Sequence, residues 1–288
     1  MRGRITAMGL AAVLLMGACS SDDSGDDAAP SEDTEATASS TEATTTTTAP
    51  AETFRILVSN DDGYSAEGID ALVQGLLTLD DVEVTVYAPL ENQSGTSDST
   101  TPGEEPTSEV ETLSGYPAVA VDGFPADSVT AGLTAIGIEA PPHLVVSGIN
   151  EGQNIGPLTE LSGTVGAART GARAGVPALA VSQGILLNGG PEPDYPSAVP
   201  LVLDWINEHR DELVAAEPAS GDAEVTNLNV PTCPTGELSE LVEVPVATEA
   251  EAAGLDLGAV DCESAAEDPT NDVNGFLTGH PVLSELTA

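Results

Sequence analysis

A chain of 288 residues is long enough for one large domain or two small ones, and its apolar residues are aliphatic far more often than aromatic. That balance suits a core of Val, Leu, Ile and Ala around a parallel sheet. Acidic residues number 48 against 6 basic ones, none of them lysine, for a formal net charge of −42. This argues against a nucleic-acid polymer as partner, because its backbone is gripped by clustered Lys and Arg.

Self-repulsion on this scale needs screening, which fits a salty or exterior milieu, unless much of the charge sits in a disordered tether. A small anionic ligand would need a cation to neutralise its pocket.

Residues 1–18 open with Arg2 and Arg4 and continue as an apolar stretch from Ile5 to Ala18. The stretch is too short to span a bilayer comfortably and reads as the apolar region of a signal peptide. Met16-Gly17-Ala18-Cys19 then resembles a bacterial lipoprotein cleavage site, at which Cys19 is lipidated and becomes the new N-terminus. The alternative is an ordinary secretory signal that happens to contain a cysteine. Residues 20–52 hold no Leu, Ile, Val or aromatic residue, so they bury too little apolar surface to offset the entropy of ordering. Residues 19–52 are therefore expected to be an acidic, Ser/Thr-rich tether, and the protein to sit on the outer face of the cell membrane.

From residue 53 the pattern changes. Phe54–Ser59 (FRILVS) reads as a strand buried on both faces, ended by Asn60-Asp61-Asp62-Gly63. A helix is expected from near Ser65, with Ile69, Leu72, Val73, Leu76 and Leu77 on one stripe. Val82–Tyr87 is a second strand, completing a right-handed β-α-β unit. Pro89–Ser108 reads as loop, Ala118–Val121 as a short strand and Ala126–Ile136 as a helix. His143–Ser147 is a further buried strand running into Gly148-Ile149-Asn150. Gly163–Ala174 is a small-residue helix, Ala178–Ser182 a strand, Tyr195–Val214 a helix and Glu224–Val230 a strand. Strands alternating with helices predict a doubly wound α/β fold over 53–232. Residues 233–288 show weak periodicity and read as a C-terminal extension. Cys233 and Cys262 are expected to close it with a disulfide, two buried free thiols being the alternative.

In open parallel sheets, ligands bind beyond the carboxyl ends of the strands. Three polar clusters fall there: Asn60 to Asp62, Asn92 to Ser97, and Ser147 to Asn150. Two carboxylates, a hydroxyl and an amide oxygen form an all-oxygen set suited to Mg²⁺, Mn²⁺ or Ca²⁺. The scattered histidines, His143, His209 and His280, argue against zinc. Taken singly, the Asp pair reads as a turn with a helix cap, and Ser162 as a plain N-cap. Ser162-Gly163-Thr164 at a helix start also offers backbone N–H groups and two hydroxyls to an anion. No G-x-G-x-x-G, P-loop or G-x-S-x-G is present.

Together, ILVSNDDGYSAEGI at 56–69, APLENQSGTS at 88–97, VVSGINEGQNIG at 145–156 and SGTVGAARTGARAGVPALAVS at 162–182 resemble the SurE family of survival-protein nucleotidases. DGFPADSV at 122–129 and NLNVP at 227–231 match further family segments in the same order. The resemblance covers about Phe54 to Val230 and implies a Rossmann-like domain that frees phosphate from nucleoside monophosphates, as a 5'-nucleotidase or acid-phosphatase-type hydrolase. It implies one divalent cation per subunit, held by Asp61, Asp62, Ser94 and Asn150, and phosphate contact through Ser162, Gly163 and Thr164 with Asn150. Asp61 or Asp62 would be the catalytic base for an attacking water, direct attack by a carboxylate being the other route. Dimers or tetramers are implied too. The family's long C-terminal hairpin has no counterpart after Cys233, and a non-catalytic surface lipoprotein that binds a ligand on the same fold is the rival expectation.

Overall fold

A computed structural model describes residues 53–187, 189–216, 223–264 and 268–288. The expected signal peptide, Cys19 and tether lie outside the described residues.

Nine strands form one sheet, in the order β3-β4-β2-β1-β5-β6-β7-β9-β8. The strands are β1 (Phe54–Ser59), β2 (Val82–Pro89), β3 (Thr107–Glu111), β4 (Pro117–Val121), β5 (Leu144–Glu151), β6 (Ala178–Gln183), β7 (Val225–Val230), β8 (Val242–Glu243) and β9 (Val282–Leu286). The run from β4 to β7 is parallel, while β3 is antiparallel to β4 and β9 to β7. This is the mostly parallel α/β sheet that the alternating pattern predicts, Rossmann-like as the family resemblance implies. Strand β1 lies between β2 and β5, so the chain winds outward from it in both directions. The carboxyl end of β1 is thus the switch point at which such sheets bind ligands.

Alternation of side chains puts one face of β1 (Phe54, Ile56, Val58) under α1 (Glu67–Leu76) and α4 (Tyr195–Ala215). Leu57 faces the other way, with Val145 and Ala180, under α2 (Pro125–Ile136) and α3 (Gly163–Arg173). Helix α1 carries most of its predicted apolar stripe, with Ile69, Leu72, Val73 and Leu76 almost wholly buried; Leu77, expected on the same stripe, is the C-cap and is exposed. Its start is Glu67 rather than Ser65, and Glu67 and Asp70 place negative charge at the positive end of the helix dipole.

Three expectations need correction. Strand β3 begins inside the segment read as loop: its residues are mostly exposed, and pairing with β4 rather than apolar patterning makes it a strand. Strand β5 runs to Glu151, so Asn150 lies within the strand; its pairing with β6 shifts register between Ser147 and Asn150, where the Gly148–Ile149 peptide is cis. The boundary at residue 232 is not a boundary of the fold. Strand β9 extends the same sheet beside β7, and Val273, Phe276 and Val282 bury themselves with Ala247 and Ala252 around Ile155 of the central domain. These short elements, with α5 (Glu249–Ala252) and α6 (Asp272–Leu277), lack the length that makes a period readable. Cys233 and Cys262 are joined by a disulfide, with Cα atoms 5.7 Å apart.

Candidate active site

The site is built where β1 ends. Asn60 closes the turn: its Nδ2 donates to the Gly63 carbonyl at 2.9 Å, and its Oδ1 accepts from the Gly63 N–H at 3.2 Å. This side-chain mimic of a backbone turn sets Asp61 and Asp62 side by side. The Gln93 N–H donates to the Asp61 carbonyl at 2.7 Å and docks the loop after β2, which carries Ser94. Asp62 ties that loop to the end of β5. Its Oδ1 accepts from Asn92 Nδ2 at 3.0 Å and its Oδ2 from the Glu151 N–H at 2.9 Å.

Asp61 is held from beneath by α3. The Thr164 hydroxyl, fully buried, donates to Asp61 Oδ1 at 2.6 Å. Gly163 packs so closely that a Cβ there would lie 2.8 Å from Asp61 Oδ2. Gly166, a turn later, lets the helix meet the Ser94 loop, since a Cβ there would lie 2.1 Å from the Ser97 carbonyl oxygen. Asn150 donates through Nδ2 to the Gly152 carbonyl at 2.6 Å, which fixes the amide and leaves Oδ1 as an acceptor.

Asp61, Ser94, Asn150, Glu151, Leu158 and Ser162 line one cavity of about 210 Å³. Four of the residues singled out from sequence therefore meet there, and Asp62 adjoins them through its bond to Glu151. The expected cradle at 162–164 differs from its sequence reading. Ser162 Oγ caps α3 by accepting from the Val165 N–H at 3.1 Å, and its own proton is available to a ligand. The Thr164 hydroxyl is committed to Asp61, so it serves the carboxylate and not an open anion site.

Sequence reasoning assigned no role to the layer behind Thr164. Asn154 Nδ2 donates to Ser182 Oγ at 2.9 Å and lies 3.4 Å from Thr164 Oγ1. The Asn154 N–H donates to Asn229 Oδ1 at 2.7 Å, and Asn227 and Asn229 both donate to the Asn154 carbonyl. A buried amide network thus runs from β7 to Asp61. The readable signal was NLNV itself, two amides alternating with apolar residues in a strand buried on both faces.

The electrostatics are one-sided. Burial raises the Asp61 carboxyl above its ordinary value, against the bond from Thr164 and the backbone N–H groups of Thr164 and Gly163. Burial, and then the charge of Asp61, push Asp62 up to about 6, while the Glu151 N–H opposes the rise. Among the described residues no cationic side chain lines the cavity. The four arginines after residue 52 are engaged elsewhere: Arg55 with Pro141 O, Arg169 with Glu160 and Thr287 O, Arg173 with Asp98, and Arg210 with Asp80 O and Asp81 O. Of the 48 acidic residues, 39 lie after residue 52.

A pair of carboxylates with hydroxyl and amide oxygens, and no compensating cation, fits a hard divalent ion. Among the described residues no group of three or more His, Cys, Asp or Glu side chains is placed to hold a metal.

Residues 56–252 match the family model described as Survival protein SurE. The chain is 41% identical over 184 residues to the 5'-nucleotidase SurE of Laribacter hongkongensis, covering 64% of this chain and 68% of that one. It is 38% identical over 192 residues to the 5'-nucleotidase SurE of Brevibacillus brevis, covering 65% and 70%. The corresponding figures for the 5'-nucleotidase SurE of Methylococcus capsulatus are 37% over 183 residues, covering 64% and 66%, so the chain spans about two thirds of the length of these relatives. The crystal structure of the SurE protein from Aquifex aeolicus superposes with a TM-score of 0.61 at 26% identity, covering 81% of this chain and 93% of that one. With the fold, the order of the motifs and these matches in agreement, the chain belongs to the SurE family.

Proposed function

We propose that this protein is a divalent-metal-dependent phosphomonoesterase that hydrolyses nucleoside monophosphates to nucleoside and phosphate. The observation that carries the reading is the cavity lined by Asp61, Ser94 and Asn150 together with Ser162 at the start of α3. The activity named for the similar proteins, 5'-nucleotidase, agrees with that chemistry. Asp61, Asp62, Ser94 and Asn150 would hold one Mg²⁺, Mn²⁺ or Ca²⁺, which supplies positive charge to the phosphate oxygens in a pocket that has none of its own.

The chain's own groups then divide the work. Ser162 Oγ, already accepting from Val165, donates its proton to a phosphate oxygen. Asp61 or Asp62 takes the proton of the water that attacks phosphorus in line; the ester P–O bond breaks, and that proton goes to the leaving nucleoside oxygen. Thr164 keeps the Asp61 oxygens aimed into the site. Leu158 and Leu161 give the leaving group an apolar wall. No observation favours the rival, a non-catalytic binding protein.

The test is phosphate release from AMP, with Mg²⁺ or Mn²⁺ and after EDTA, for the wild type and Asp61→Asn. Turnover is expected to vanish with EDTA and to drop at least ~100-fold in the variant. Near-normal turnover in a folded Asp61→Asn protein would overturn the scheme.

We further propose export and anchoring through a lipid on Cys19, supported by Arg2, Arg4 and the apolar run before it. Cys19→Ser should move the protein from the membrane fraction to the soluble one. An unchanged membrane fraction in that variant counts against the anchor.

A further inference from the structure

Residues 151–161 join β5 to α3 and supply Glu151, Asn154, Leu158 and Leu161 to the cavity. Nothing in that stretch is longer than the 3-10 turn Gly156–Glu160, so its shape has to be imposed from outside. Strands β6 and β7 hold Asn154, and the C-terminal segment holds the residues on either side of it. Ile155 is fully buried among Ala247, Ala252, Val273 and Phe276. Gln153 accepts from the Ile185 N–H and donates to the Leu257 carbonyl. At the centre is Asp272, the first residue of α6 and only 1% exposed. Its Oδ2 accepts from the Gly156 N–H and its Oδ1 from the Ala247 N–H, each at 2.7 Å, while its own N–H donates to the Pro245 carbonyl.

A buried carboxylate is costly unless its oxygens are bonded, and no Lys or Arg is bonded to this one. Its geometry gives the reason for the residue type. Two buried N–H donors converge on one side chain, and only a carboxylate offers both an acceptor in so short a reach. An amide of the same shape would turn an NH₂ group onto one of the donors.

We infer that Asp272 is a positioning residue for the active site: it pins Gly156, and so holds residues 151–161 in the shape that receives the phosphate ester. The C-terminal segment is then a brace for the cavity wall. The metal oxygens of Asp61 and Ser94 stand on other loops, while Asp62 and Asn150 touch only the first residues of the stretch, at the Glu151 N–H and the Gly152 carbonyl, and not the pinned Gly156. Loss of the brace should therefore weaken substrate binding and spare metal binding. The inference rests on the phosphomonoesterase reading only for its kinetic part.

The experiment compares wild type, Asp272→Asn and Val273→Ala, the latter loosening the same contact without touching a charge. Three quantities are read: amide exchange over residues 152–158, Mn²⁺ affinity by calorimetry, and KM and kcat for AMP. In Asp272→Asn, exchange at Gly156 should quicken at least ~10-fold and KM should rise ~10-fold, with Mn²⁺ affinity within twofold of wild type. Val273→Ala should show the same pattern more weakly, and it carries the test alone if Asp272→Asn does not fold. Unchanged exchange at Gly156 in the folded variants overturns the inference. So does a loss of kcat and Mn²⁺ affinity with KM unmoved. If the wild type releases no phosphate with any metal, the functional reading fails, and exchange at Gly156 still decides whether Asp272 pins the loop.

Discussion

Thr164→Val tests the link between α3 and the catalytic carboxylate most directly. The substitution keeps the branched shape and removes one hydroxyl, which is fully buried and donates to Asp61 Oδ1 at 2.6 Å. A hydrogen bond to a charged group contributes roughly 1.5–3 kcal/mol, and 1.4 kcal/mol is about tenfold in an equilibrium constant. Residues that orient a metal ligand typically change affinity or activity by about 10–100-fold, so the two estimates meet. Mn²⁺ affinity by calorimetry and kcat/KM for AMP should each drop within that range. Asn154 keeps its bond to Ser182, so the network behind should hold and thermal unfolding should stay cooperative. A Thr164→Val protein with wild-type Mn²⁺ affinity and kcat/KM would refute the idea that α3 aims Asp61.

Gly166→Ala should cost about 1–3 kcal/mol, because the new methyl meets the Ser97 carbonyl and the Ser94 loop has to shift. Calorimetry should show a fall in Tm of several degrees, together with weaker Mn²⁺ binding. The acidic surface should hinder an anionic substrate at low salt, so KM for AMP is expected to fall severalfold between ~50 mM and ~500 mM NaCl. A KM that is flat or rising with salt contradicts that reasoning. The Arg173 guanidinium, 2.8 Å from Asp98, holds the Asp98 carboxyl below its ordinary range. The depressed value means the pair stabilises the fold above the unfolded Asp value of about 3.9, and that stability is lost as pH falls through the lower folded value. Both side chains are about two-fifths exposed, so Asp98→Asn should change the unfolding free energy at pH 7 by less than ~1 kcal/mol, and the difference should shrink as pH falls through the lowered folded value in denaturant titrations.

Much of the fold is legible in the sequence because its central elements repeat a physical pattern. FRILVS is apolar on both sides, as a strand covered on both faces must be, and the stripe of Ile69, Leu72, Val73 and Leu76 fits one helix face. Strands β3 and β9 carry too weak a pattern. Glu109 and Glu111 stand on β3 and Glu285 on β9, and backbone pairing with β4 and β7 decides their structure.

The site divides in the same way. By itself the sequence determined which oxygens are available at the strand ends, the absence of any lysine, and the family to which the ordered motifs point. Tertiary structure decided what those oxygens do. It turned the Thr164 hydroxyl from an anion donor into the support of Asp61, set Asn154 between β7 and α3, and brought Asp272 under Gly156 from 116 residues away. Such pairings depend on a hydrogen bond a few ångströms long between segments far apart in the chain. No local period or spacing encodes that distance; only the packed sheet and helices fix it.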